Sequence, residues 1–186
     1  RTNSGRVTTR AIAGHNWRIA ITYNPMTRDE FEPVYAFLQE RRGRLKPFEI
    51  VLPQYNTPRS TVTSTIAVDG AITAGATNFM VDGVSSGSLR PGDMFNFTDS
   101  SNSNHKKVYQ VTRVLTSTDY LTGNQPTDSS HRVYYVTPSI EKSVSNDSTL
   151  DYTPTFRVIL TSDVMEYRLQ TNNLYQFSLN LEEAQP

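Results

Sequence analysis

Three histidines, His15, His105 and His131, are the side chains best suited to move a proton or hold a metal near neutral pH. They stand far apart, each in or near a polar turn, and no pair has a spacing such as His-x-x-x-His. They read as exposed or locally bonded histidines, not as a ligand set. Serine is abundant, yet there is no Gly-x-Ser-x-Gly elbow and no His/Asp arrangement to activate a hydroxyl. Among the carboxylates, Glu30 and Glu32 point to different sides of a helix, and Glu182-Glu183 reads as part of a C-terminal tail. A glycosidase pair assembled from distant carboxylates is compatible with the sequence but has no motif behind it. Asp69-Gly70 and Asp82-Gly83 read as turns, and no glycine-rich phosphate loop is present. The expectation is a protein that is not an enzyme, with no catalytic residue, no metal and no cofactor.

Charge is concentrated at one place. Arg41, Arg42, Arg44 and Lys46 surround Gly43 where a helical pattern ends. Cations are favourable beside the carbonyl end of a helix. Exposed, the same cluster suits an interface between subunits. Nucleic acid is the weaker reading, since aromatic side chains of the kind that stack on single-stranded bases are scarce in this segment. Trp17 and Tyr175 join these four residues as candidate interface positions, because each opens an alternating apolar run.

The elements that carry these residues follow from periodicity. Trp17, Ile19, Ile21 and Tyr23 alternate with Arg18, Ala20 and Thr22, the pattern of a half-buried strand. Asn24-Pro25 ends it. Phe31, Val34, Tyr35 and Leu38 then recur at helical spacing, and Gly43 sits where a C-terminus favours positive φ. Thr27 and Glu30 have capping-box spacing, but Pro33 would lie too deep in a helix starting there. Pro33 therefore favours a start nearer Glu30. Phe48, Ile50 and Leu52 open a second strand, and Tyr175, Phe177, Leu179 and Leu181 form the cleanest amphipathic strand of the chain.

Between these runs lies a different texture. Short β-type stretches at 61–68, 78–81, 93–97, 107–115 and 132–137 are separated by glycines and polar loops. Arg90-Pro91-Gly92-Asp93 is the sharpest turn signal, with Pro presetting φ and Gly supplying a positive one. Residues 141–151 read as a polar loop. The fold class expected is mainly β (α+β): a β-sandwich with one flanking helix, built from residues 1–58 and 150–186, carrying an inserted small antiparallel β-barrel-like module at 59–149. A single continuous β-sandwich is the alternative layout.

The chain has 186 residues, no cysteine, and 18 basic against 18 acidic side chains. The even balance gives no global pull toward nucleic acid or an anionic membrane. Disulfides are excluded, and no apolar run approaches the roughly 20 residues of a membrane-spanning helix. Arg1 stands first where Met would open a complete product, so the numbering is read as starting inside a longer chain.

Two segments carry a family resemblance. One runs Trp17-Arg18-Ile19-Ala20-Ile21, Met26-Thr27-Arg28-Asp29-Glu30-Phe31, Tyr35-Ala36-Phe37-Leu38, Arg42-Gly43-Arg44 and Pro47-Phe48. The other runs Gly75-Ala76-Thr77-Asn78-Phe79-Met80-Val81, Leu89-Arg90-Pro91-Gly92-Asp93-Met94-Phe95 and Lys107-Val108-Tyr109-Gln110-Val111. In order and spacing they resemble distal-tail, minor-tail and baseplate structural proteins of tailed bacteriophages. The resemblance implies a tail-tube-like β-sandwich that assembles as a homo-oligomer, usually a hexameric ring. It also implies a place in the virion tail, with the tail tube, hub or fibres as partners and DNA at most passing through the channel. A competing expectation is a carbohydrate-binding module for host-surface recognition. There Tyr109, Tyr120, Tyr134 and Tyr135 would stack on sugar rings.

Overall fold

The alternating run after Trp17 folds as strand β1 (Arg18–Thr22), and its even-numbered side chains are the exposed ones. These details come from a computed structural model that describes residues 15–119, 125–126 and 128–184. Helix α1 (Arg28–Arg41) follows and buries Phe31 and Leu38. Its start corrects the expectation drawn from Pro33. Thr27 is the N-cap, and the Glu30 carboxylate accepts the Thr27 N–H at 2.9 Å and its hydroxyl at 3.0 Å. Pro33 removes only the bond that would have reached the Asp29 carbonyl. Because Pro33 is exposed, water can take that place.

Strand β2 (Phe48–Val51) closes this first passage. The chain then builds β3 (Ala67–Asp69), β4 (Asn78–Asp82), β5 (Met94–Thr98), β6 (Tyr109–Leu115), β7 (Arg132–Thr137) and β8 (Thr149–Asp151). It returns through β9 (Thr155–Leu160), β10 (Tyr167–Leu169) and β11 (Tyr175–Glu183). The result is a mainly β protein with one helix among the described residues.

Two antiparallel assemblies result. The first is a sheet ordered β1-β11-β9-β2, with β10 paired to the first residues of β11. The second is a closed barrel ordered β3-β4-β7-β6-β5-β8. Leu181 pairs with both Ile19 and Leu160, which makes β11 the spine of the sheet. Its odd-numbered side chains from Phe177 to Leu181 pack with Phe156, Val158, Leu160, Phe48 and the helix residues Phe31 and Leu38. The barrel has its own core, with Phe95, Tyr109 and Tyr134 fully buried among Ile66, Val68 and Val81. Met94 and Val108, although borne by the barrel segment, pack into the core of the sheet and seat one assembly on the other.

Three local expectations change. The run at 61–68 yields a strand only from Ala67, since Thr61 to Ser64 is a polar stretch tied to the loop at Ser86. The loop at 141–151 contains the buried Val144, bridged to Ile72, and then β8. Leu150, the residue at which the outer unit was expected to resume, packs in the barrel core. Val51 and Thr155, where the chain leaves and rejoins the sheet, are directly paired on β2 and β9. Among the described residues no helix is long and apolar enough to cross a membrane.

Candidate functional site

The basic cluster caps α1 and divides by role. Arg42 takes the left-handed conformation (φ 52°) and donates its N–H to the Gln39 carbonyl. Gly43 continues with φ 63°, and a β-carbon there would collide with Asp163. Arg44 uses that close approach. Its N–H donates to Asp163 Oδ1 at 3.0 Å and its Nε to the Thr161 carbonyl at 2.9 Å, tying the helix end to the loop after β9. Arg41 lies over the Phe37 ring, 4.4 Å from its centroid, and meets Glu40 at 3.3 Å. Of the four, Arg42 and Lys46 extend into solvent without such a contact, and Leu45 between Arg44 and Lys46 is 67% exposed.

Trp17 and Tyr175 are used inside the chain. The Trp17 indole Nε1 donates to the Val108 carbonyl at 2.9 Å, across the seam between sheet and barrel. Tyr175 stacks on Phe31 with centroids 4.6 Å apart and exchanges both backbone hydrogen bonds with Met26 at 2.9 Å.

The same seam holds a feature that sequence reasoning missed. Lys107 and Glu183, only 3% and 2% exposed in their side chains, form a buried ion pair. Glu183 Oε2 also accepts the Trp17 N–H at 3.1 Å, and the Lys107 ammonium also donates to the His15 carbonyl. Glu183 is no tail residue. It falls on the inward side of β11, in phase with Leu179 and Leu181, and that phase was the available signal.

The histidines stay apart, and among the described residues no group of three or more metal-ligating side chains forms. His105 is buried, with Nε2 2.7 Å from the Tyr109 hydroxyl. Burial, helped by Lys142 and opposed by Asp99, pushes its pKa down to about 4. Burial alone would raise Asp99, but the N–H groups of Ser145 and Ser101 outweigh it and hold the carboxylate below its usual range. His131 is raised by its hydrogen bond to Asp128, at 2.7 Å. His15 meets Trp17 edge-on at 4.6 Å.

The sugar-stacking tyrosines are corrected in part. Tyr109 and Tyr134 are fully buried, their hydroxyls accepting the N–H groups of Glu141 and Leu89, so neither ring can meet a ligand. Tyr135 is half-buried beneath the Arg113 guanidinium, 5.4 Å away, and Tyr120 lies outside the described residues. What remains open is the sheet. β1 and β2 each have one partner, and the face bearing Arg18, Ala20, Thr22, Ser178 and Asn180 is exposed. No family model matches the chain, and no curated protein matches it.

Proposed function

We propose that this chain is a structural subunit of a bacteriophage tail, a distal-tail or baseplate adaptor that closes into a ring joining the tail tube to the hub or fibres. One observation carries the reading: the polarity of the two open edges. β1, β11, β9 and β2 run antiparallel in turn, so the edge strands β1 and β2 point in opposite directions. Copies related by simple rotation about one axis would bring β2 of one beside β1 of the next as another antiparallel pair. Such a contact is heterologous, and it generates a ring when the rotation closes. A ring also removes the exposed edges that would otherwise template uncontrolled pairing.

The edge geometry fits this use. Tyr23 donates to the Phe177 carbonyl at 3.1 Å and Glu183 to the Trp17 carbonyl at 2.8 Å. Those pairings set the phase of the β1–β11 ladder, which leaves the backbone groups of Arg18, Ala20 and Thr22 facing outward. The exposed Arg42, Leu45 and Lys46 would lie at further subunit or partner contacts. In this reading the protein resides in the virion and performs no turnover.

The test is solution mass by light scattering over a range of concentrations, with negative-stain images. A closed oligomer, six copies in the expected case, supports the adaptor. A chain that stays monomeric both alone and in the presence of assembled tail tubes would remove it.

A further inference from the structure

Away from the sheet, the barrel carries a cleft of about 700 Å³ lined by Arg59, Arg90 and Arg132, with Leu89, Val114 and Thr116 among its walls. The cleft is shallow and open to solvent, which suits a charged group held at the surface. The arginines come from three chain segments, and a buried carboxylate brings two of them together. Asp93, 4% exposed, accepts the Arg59 N–H at 3.0 Å through one oxygen and the Arg90 N–H at 2.7 Å through the other. The turn expected at 90–93 is present, with the Asp93 N–H donating to the Arg90 carbonyl at 2.9 Å and Gly92 at φ 102°.

The guanidinium groups of Arg59 and Arg132 are held by carbonyls, and among the described residues none of the three is neutralised by a carboxylate. Arg59 Nη1 donates to the Pro91 carbonyl at 3.0 Å, and Arg132 Nη1 to those of Ser129 and His131 at 2.8 and 2.6 Å. Among the described residues, none of the three arginines enters an ion pair. Two carboxylates stand against this charge. Asp93 is committed to backbone N–H groups. Asp119 feels Arg113 and Arg132, but one of its oxygens is occupied by the Thr116 N–H at 2.6 Å and hydroxyl at 2.7 Å.

We infer that this cleft is a binding site for an oxyanion, a phosphate or sulfate group, gripped by Arg90 together with Arg59 and Arg132. Guanidinium groups present paired N–H donors that match such oxygens, and the apolar walls at Leu89 and Val114 reduce the screening of their charge. Among the described residues no aromatic side chain lines the cleft to provide the stacking platform by which single-stranded bases are held. The charged group itself is what is recognised, whether free or carried on a polymer. This site is independent of the ring reading, and either stands without the other.

Calorimetric titration of the full chain at low ionic strength tests it, with inorganic phosphate and dextran sulfate as probes and uncharged dextran as control. Saturable binding of phosphate alone would identify a free oxyanion as the ligand. Binding of dextran sulfate alone would identify a polymer-borne one. In either case affinity falls as salt is added and drops by about tenfold in Arg90→Gln. Arg90 is exposed and its side chain makes none of the bonds of the fold described above, so this variant keeps the wild-type melting temperature. Arg59→Gln provides the second variant. The inference is overturned by absence of saturable binding to both probes, by affinity unchanged in both variants, or by tighter binding of oligothymidylate than of dextran sulfate.

Discussion

In the barrel every strand has a neighbour on each side, from the β3–β4 pair round to β8 and back to β3; the sheet ends instead in β1 and β2, each with one partner. The barrel encloses its own apolar core, apart from Met94 and Val108, which face the sheet. The sheet covers one face with α1 and the seam and leaves the other open. A closed sheet satisfies its own backbone groups, whereas an open one leaves a row of donors and acceptors for another chain. The contrast separates the two regions: the barrel closes on itself, whereas the sheet keeps two open edges, which the proposed ring would close with neighbouring copies.

The largest effect should come from cutting what joins them. Lys107→Met leaves Glu183 buried without its cation, and a loss of about 3–5 kcal/mol in urea unfolding is expected. Adding Glu183→Leu should recover most of that loss. A single change no more costly than a surface substitution would mean that barrel and sheet do not depend on the seam.

Next comes acid, which should act first on the barrel. His105 has a folded pKa of about 4, below its unfolded value, so it contributes stability that is complete above the unfolded pKa. That contribution, roughly 3 kcal/mol at most, is lost as pH falls from about 6.5 through 4. His131 is raised and works in the opposite sense, adding stability at low pH that fades as pH rises through its folded pKa. His105→Gln should therefore flatten the acid limb of a plot of melting temperature against pH. An acid limb left unchanged would place the sensitivity elsewhere.

Gly43→Ala tests the sheet side through positive φ and the collision with Asp163. A cost of about 1–3 kcal/mol is expected from thermal unfolding. The smallest thermodynamic effect belongs to Ala20→Pro, which removes an outward N–H from an edge strand, where proline is tolerated. Stability should change by under about 1 kcal/mol, while light scattering should show the proposed oligomer lost. An intact ring in this variant would exclude β1 from the subunit contact.

Legibility in the sequence followed the length and regularity of each signal. β1, α1 and β11 were readable because their periods persist for several residues against one core. β3 and β8, the strands that close the barrel, have three residues each, too few to show a period of two. Pro33 misleads because its local cost is smaller than the gain from the capping box of Thr27 and Glu30, and solvent replaces its lost bond. Of the candidate interface residues, Arg42 and Lys46 are exposed as expected. Trp17 and Tyr175 are drawn inward by partners distant in sequence, Val108 and Phe31, and the exposed Arg44 is tied to Thr161. The arginine-lined cleft was not legible, because Arg59 and Arg90 meet through the buried Asp93 and Arg132 joins them from β7, distant in sequence.

The pairing of Val51 with Thr155 has a consequence for how such a protein can change over generations. The whole barrel is inserted at the last rung of one ladder, as an ordinary hairpin loop would be. A gene segment of almost any length can be exchanged there without shifting the sheet's register, provided its ends meet at the same narrow gap. What resists exchange is the seam, because a replacement must bring its own cation to Glu183 and its own acceptor to the Trp17 indole. Lineages that swap this module should therefore either keep a cation and an acceptor at these places or change Glu183 and Trp17 along with it.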